Sequence, residues 1–169
     1  DAVNYRVTAI RADGVSINKG QHSSGIMPGD EILIINLQGD AADHGSVGNY
    51  ETRFVRDVND YENTIDFERP LERAYGVSNS NEDLTGQKIN IQRVPHYRRV
   101  VVDVDSHLTA SRWNSGSGQK GVLFFRSSWG IEINGLVGMD ARGYDNGIAE
   151  IGCCLHRENV RVAETIFGA

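Results

Sequence analysis

The chain has 169 residues, 39% of them hydrophobic and 24% charged, with 23 acidic against 17 basic side chains and a formal charge of −6. That length supports one full domain with a sizeable core, and the acidic balance disfavours nucleic acid or an anionic membrane as a general partner. No window approaches the roughly 18 consecutive apolar residues of a membrane span, and 19 glycines with only three prolines favour short strands and tight turns over long helices.

Val3, Tyr5, Val7 and Ala9 alternate at period two, and Val15 and Ile17 resume after an Asp13-Gly14 turn. This predicts a strand pair or one long edge strand. After a polar loop at 18–25, Met27-Pro28-Gly29-Asp30 turns into Glu31-Ile32-Leu33-Ile34-Ile35-Asn36-Leu37, an isoleucine-rich run that reads as a strand buried on both faces. Residues 49–58 and 64–67 predict a hairpin around a turn at 60–63. The polar stretch 69–86 predicts a long surface loop suited to variable binding. Lys88 to Val94 alternates cleanly and stops at Pro95.

Beyond Pro95 the apolar beats shorten. Val100–Val104, Leu108–Ala110, Gly121–Phe125, Ile131–Ile133 and Leu136–Met139 are set apart by Gly, Asn and Asp turns, as stacked short strands require. Val101 to Val122 is taken as one rung of a coil. Residues 159–167 read as a final strand, with a short helix as the alternative. The predicted class is therefore all-β: a sandwich or barrel-like region over 1–97 followed by solenoid-like stacked strands over 98–169 within one domain, with a jelly roll as the alternative.

Cationic charge is carried by 14 Arg and only Lys19, Lys88 and Lys120, favouring multidentate pairing with carboxylates. The adjacent Cys153 and Cys154 cannot bridge each other without strain, because their Cα atoms lie only about 3.8 Å apart. They read as buried thiols or as bonds to another chain. The start at Asp1 is consistent with removal of a signal peptide.

Chemical motifs are sparse. No Gly-rich stretch opens a helix as a phosphate loop does, no Gly-x-Ser-x-Gly elbow occurs, and His22, His44, His96, His107 and His156 share no metal-ligand spacing. Oxygen donors Asp103 and Asp105, with Asp140, Asp145 and Asn146, are candidates for calcium, although turn chemistry alone explains them. No catalytic residue and no other cofactor is expected. Tyr75, Trp113 and Trp129 are candidate stacking residues for a glycan, against the commoner fate of aromatics in a core.

The phrases MPGDEILIINLQGD, VGNYE, INIQRVPHY and LTASRWNSGSGQKGVLFFRSSWGIEINGLVGMDARGY resemble a recurrent β-rich module of large, Gly-rich bacterial surface proteins. The resemblance implies an extracellular or cell-surface address and a structural or adhesive role, without catalytic residues. Together these readings predict a self-assembling subunit. Val3, Tyr5 and Val7, Val160 and Val162, and Cys153 and Cys154 would supply its contacts through strand addition at open edges. A carbohydrate-binding or adhesin module is the alternative, and a polysaccharide-active enzyme is a more distant third.

Overall fold

A computed structural model describes residues 2–20, 24–40 and 42–143. The protein is all-β. Strands β1 (Asn4–Arg11), β2 (Gly14–Asn18), β3 (Glu31–Gln38), β4 (Tyr50–Asn59), β5 (Thr64–Phe67) and β6 (Lys88–Arg93) close into an antiparallel barrel. Their order is β1-β2-β5-β4-β3-β6, with β6 returning to β1. The hairpin read at 49–67 is β4–β5. A barrel, and not a two-sheet jelly roll, is the form the all-β class takes here.

Closure follows from alternation and from three bulges. Val7, Val15, Ile17, Ile32, Ile34, Val55, Ile65, Phe67, Ile89 and Ile91 fill the interior. Each such side chain contributes about 1.5–3 kcal/mol when removed from water. An extra residue is accommodated at Thr8, Leu37 and Arg56, and bulges of this kind bend strands enough for a small sheet to close.

Strand β3 is buried along both faces, as its unbroken apolar run predicts. Ile32 and Ile34 face the barrel interior, while Leu33, Ile35 and Leu37 form a second cluster with Val94 and Trp113 on the outside of the wall. The cover over that outer cluster is the segment 111–125, whose Val122 and Phe124 pack against it. The apolar run Gly121–Phe125, expected to be a strand, joins no sheet. Its apolarity reflects burial against β3 and not a ladder of its own.

Residues 69–86 contain only one 3-10 turn, Val77–Asn79, and they are more than a surface loop. Tyr75, with Leu71 and Leu84, packs against the interior cluster and caps the barrel. The Tyr75 hydroxyl donates to Glu51 Oε1 at 2.9 Å, and Asn36 Nδ2 donates to the Tyr75 carbonyl and to Gln87 Oε1, both at 2.8 Å. Burial and the neighbouring Glu51 carboxylate push the Tyr75 hydroxyl pKa well above its ordinary value. A loop tied down in this way is poorly suited to variable binding.

Only Val94 and Pro95 separate β6 from the next element. Among the described residues six short strands follow and pair in parallel: β7 (His96–Tyr97) with β10 (Arg126–Ser127), β8 (Val100–Val102) with β11 (Ile131–Ile133), and β9 (His107–Leu108) with β12 (Leu136–Val137). These are two stacked coils of a solenoid. His96 pairs with Arg126, Val100 with Ile131 and His107 with Leu136. The coil is thus about 30 residues long, longer than the Val101-to-Val122 rung expected, because the 111–125 cover belongs to it.

The terminal-strand prediction needs correction. β1 has a partner on each side, β2 through Arg6–Arg11 and β6 through Asn4–Arg6. Val7 is a core residue, and Val3 and Tyr5 pack against the same core. A closed barrel has no edge to offer, so this segment cannot serve as the added strand. Cys153, Cys154, Val160 and Val162 lie outside the described residues.

Candidate functional site

Short turns connect β7 to β8 and β10 to β11, and the second turn stacks on the first. Ser128 N donates to Tyr97 O at 3.0 Å, Trp129 N to Arg98 O at 2.7 Å, and Val100 N to Gly130 O at 3.1 Å. Ser127 Oγ locks the upper turn internally by donating to Gly130 O at 2.7 Å. This stacking places the Arg98 guanidinium over the Trp129 ring, with its carbon 4.3 Å from the ring centroid. A cation over indole at an exposed site is worth about 0.5–1 kcal/mol, enough to bias the orientation of the ring. Trp129 is nevertheless 72% exposed, so one broad aromatic surface is both oriented and accessible.

A polar group stands three residues further along. Glu132 is the central residue of β11 and pairs with Val101 of β8. Its carboxylate accepts from Arg99 and, at 3.1 Å, from Asn134 Nδ2. Asn134, and then Arg99, hold the Glu132 carboxyl below the usual carboxylate range. Glu132 is therefore an anionic acceptor across neutral pH, flanked by an amide and a guanidinium that donate. The two coils are held close at the following turn, where Leu136 N donates to Ser106 O at 2.9 Å. A Cβ on Gly135 would sit 2.2 Å from Asp103 O, so only glycine allows that approach.

Among the three stacking candidates the structure separates Trp129 from the others. Tyr75 is fully buried under the barrel cap, and Trp113 is 5% exposed in the cluster outside β3. Neither can present a ring to a ligand, because each is spent on packing. Arg98, Arg99, Glu132 and Asn134 are the residues the sequence reading missed. Glu132 had a local signal: a charged residue between two isoleucines points away from the apolar side of its strand.

The acidic candidates Asp103, Asp105 and Asp140 are exposed turn residues. Asp103 O accepts from Ser106 N at 3.0 Å, and Asp105 adopts a left-handed backbone with φ of 65°, which matches turn chemistry. Among the described residues no three His, Cys, Asp or Glu side chains converge to hold a metal ion. Asp145 and Asn146 lie outside those residues.

A cleft of about 950 Å³ lies where the barrel meets the first coil, lined by Glu31, Phe54, Arg93, His96, Tyr97 and Phe125 among others. Its charged centre is already engaged. Arg126 donates to both oxygens of Glu31, Nε at 2.7 Å and a terminal nitrogen at 2.6 Å, and His96 Nε2 lies 2.7 Å from Oε2. The Glu31 side chain is only 4% exposed. Arg126 foremost, against the opposing effect of burial, holds its carboxyl below the ordinary value, with Thr52 and His96 assisting. This is a clamp between barrel and coils. The buried Glu51 is likewise engaged by Arg53, by Tyr75 and by the Glu72 and Arg73 amides.

No family model and no curated relative matches the sequence. A solved structure similar to this chain is the Gp54 tailspike of the Acinetobacter baumannii bacteriophage AP22, in complex with A. baumannii capsular saccharide. It is 11% identical, with a TM-score of 0.34 over 82% of this chain and 24% of the tailspike. This chain thus spans about a quarter of that protein. A likeness of this size carries no argument about fold or ligand.

Proposed function

We propose that the protein is a non-enzymatic, extracellular carbohydrate-binding module, in which a closed barrel anchors a short parallel solenoid that presents the site. The observation that carries the reading is Trp129: an indole mostly open to solvent, its orientation set by Arg98 and its turn fixed by four hydrogen bonds. Sugar rings expose faces of C–H groups that pack on aromatic rings, while their hydroxyls need both donors and acceptors. Glu132 on the strand that follows, with Arg99 and Asn134 hydrogen-bonded to its carboxylate, provides both kinds of group.

The alternative of polymerisation through the first strand loses its premise once β1 is enclosed. An extracellular address and a place in a larger surface protein rest on the phrases quoted from the sequence. Binding to an array of bacterial surface polysaccharides and their oligosaccharides tests the reading. The Trp129→Ala protein is expected to lose at least tenfold in affinity, about 1.4 kcal/mol, while melting at the wild-type temperature. Undiminished binding by that variant, or no retention of any glycan by the wild type, would overturn it.

A further inference from the structure

The cleft at the junction is engaged only at its centre. Glu31 is closed in by Arg126 and His96, but on either side of that clamp stands an aromatic ring half open to solvent. Phe54 belongs to β4, directly opposite Glu31 of β3, and is 48% exposed. Tyr97 ends β7 of the first coil and is 49% exposed. Both line the cleft, whose 950 Å³ falls within the roughly 300–1,000 Å³ of pockets that hold a small ligand. The Tyr97 ring is oriented by an edge contact with Phe125, their centroids 6.0 Å apart and their planes at 64°.

This cleft is continuous with the Trp129 turn. Ser128 N donates to Tyr97 O and Trp129 N to Arg98 O, so the Trp129 turn lies one strand spacing, about 4.8 Å, from the turn that begins at Tyr97. Arg99 belongs to both places, because it lines the cleft and pairs with Glu132. Barrel, first coil and second coil thus present Phe54, Tyr97 and Trp129 in turn. Polar groups lie between the rings. His96 spends Nε2 on Glu31, and Asp30 accepts from Met27 N through Oδ2, which leaves the other ring nitrogen and the other carboxylate oxygen for hydroxyl groups. Rings on successive layers with donors and acceptors between them suit a chain of units that have C–H faces and hydroxyl edges.

We propose that the protein binds its glycan along the chain and not at a single terminal residue, an inference that rests on the carbohydrate reading above. One unit stacks on Trp129, and the units that follow run past Tyr97 into the junction cleft, where Phe54 forms the far wall. The ligand class is then a stretch of polysaccharide long enough to reach from the second coil to the barrel.

Short and long oligosaccharides cut from a polysaccharide retained by the wild type test this. Wild-type affinity is expected to rise with chain length. Phe54→Ala is expected to lose at least about tenfold on the long chain, the size of one lost aromatic contact, and little on the shortest one retained, whereas Trp129→Ala weakens both. Because Phe54 borders the Glu31 clamp, its loss can disturb the junction, and nuclear magnetic resonance on the unaltered protein provides a second measurement. The ring signals of Phe54 and Tyr97 are expected to shift with the long chain. Affinity independent of length, a Phe54→Ala protein that binds the long chain as the wild type does, or shifts confined to the Trp129 ring would overturn the inference and leave the Trp129 reading standing. A wild type that retains no glycan would end both.

Discussion

The barrel and the coils spend the same kinds of residues in opposite ways. In the barrel every strand has two neighbours and apolar side chains occupy both faces of β3. Even the polar Asn36, Gln87 and Glu51 are buried with partners. In the coils the strands are two or three residues long, and the isoleucines of β11 are half exposed. A tryptophan in the barrel's outer cluster is a packing residue, while a tryptophan on a coil turn is a free surface. The difference shows that aromatic content says little about binding until the local closure of the sheet is known.

That contrast can be broken first where it is strongest. Phe67→Ala removes a fully buried ring from the barrel interior and is expected to cost about 3–5 kcal/mol, measured as a lower urea midpoint at unchanged slope. An effect below about 1 kcal/mol would mean that the interior is far looser than its burial implies. At the junction, Arg126→Ala strands a buried Glu31 carboxylate and is expected to cost about 3 kcal/mol. Glu31→Gln leaves behind Arg126 and His96, each about half exposed, and should cost clearly less. Equal losses in the two variants would argue against burial of the charge as the cause.

The same pair makes an acid prediction. Glu31 is held below its ordinary value when folded, so the stability it contributes is present above its unfolded pKa of about 4.3. That contribution is lost as pH falls through the lower folded value. Stability measured by urea between pH 6 and 3 should therefore fall less steeply for Glu31→Gln than for the wild type. Identical slopes would remove Glu31 from the account. Trp129→Ala is the smallest expected effect on stability, within about 0.5 kcal/mol for an exposed side chain, and it contrasts with the loss of glycan binding proposed for it. A large drop in melting temperature would place Trp129 on the packing side of the comparison.

Legibility in the sequence divides along the same line. The unbroken Ile-rich run of β3 announced burial on both faces, and the alternation of β6 announced a strand, because both signals are local. The ring order β1-β2-β5-β4-β3-β6 was not legible, since it depends on pairings between segments as distant as Asn4 and Gln92. The Gly121–Phe125 run was misread because apolarity reports burial and not hydrogen bonding. Tyr75, Trp113 and Trp129 could not be ranked from residue type, which does not encode what will cover a ring. Glu31 and Arg126, 95 positions apart, leave no local trace of their pairing.

Asn4 opens β1 directly across from Gln92, near the end of β6. The polypeptide thus comes into the barrel and goes out of it side by side, a geometry that favours insertion and permutation. In engineering terms the barrel is a detachable bead: joining residues near 4 and 93 to the two sides of a loop in a host protein would disturb the host's geometry little. The cover over Leu33, Ile35 and Leu37 sets the condition for such a graft. Cut free of 111–125, the bead would carry a greasy stripe along β3, so a transplanted version needs polar residues at those three sites or must bring its own cover with it.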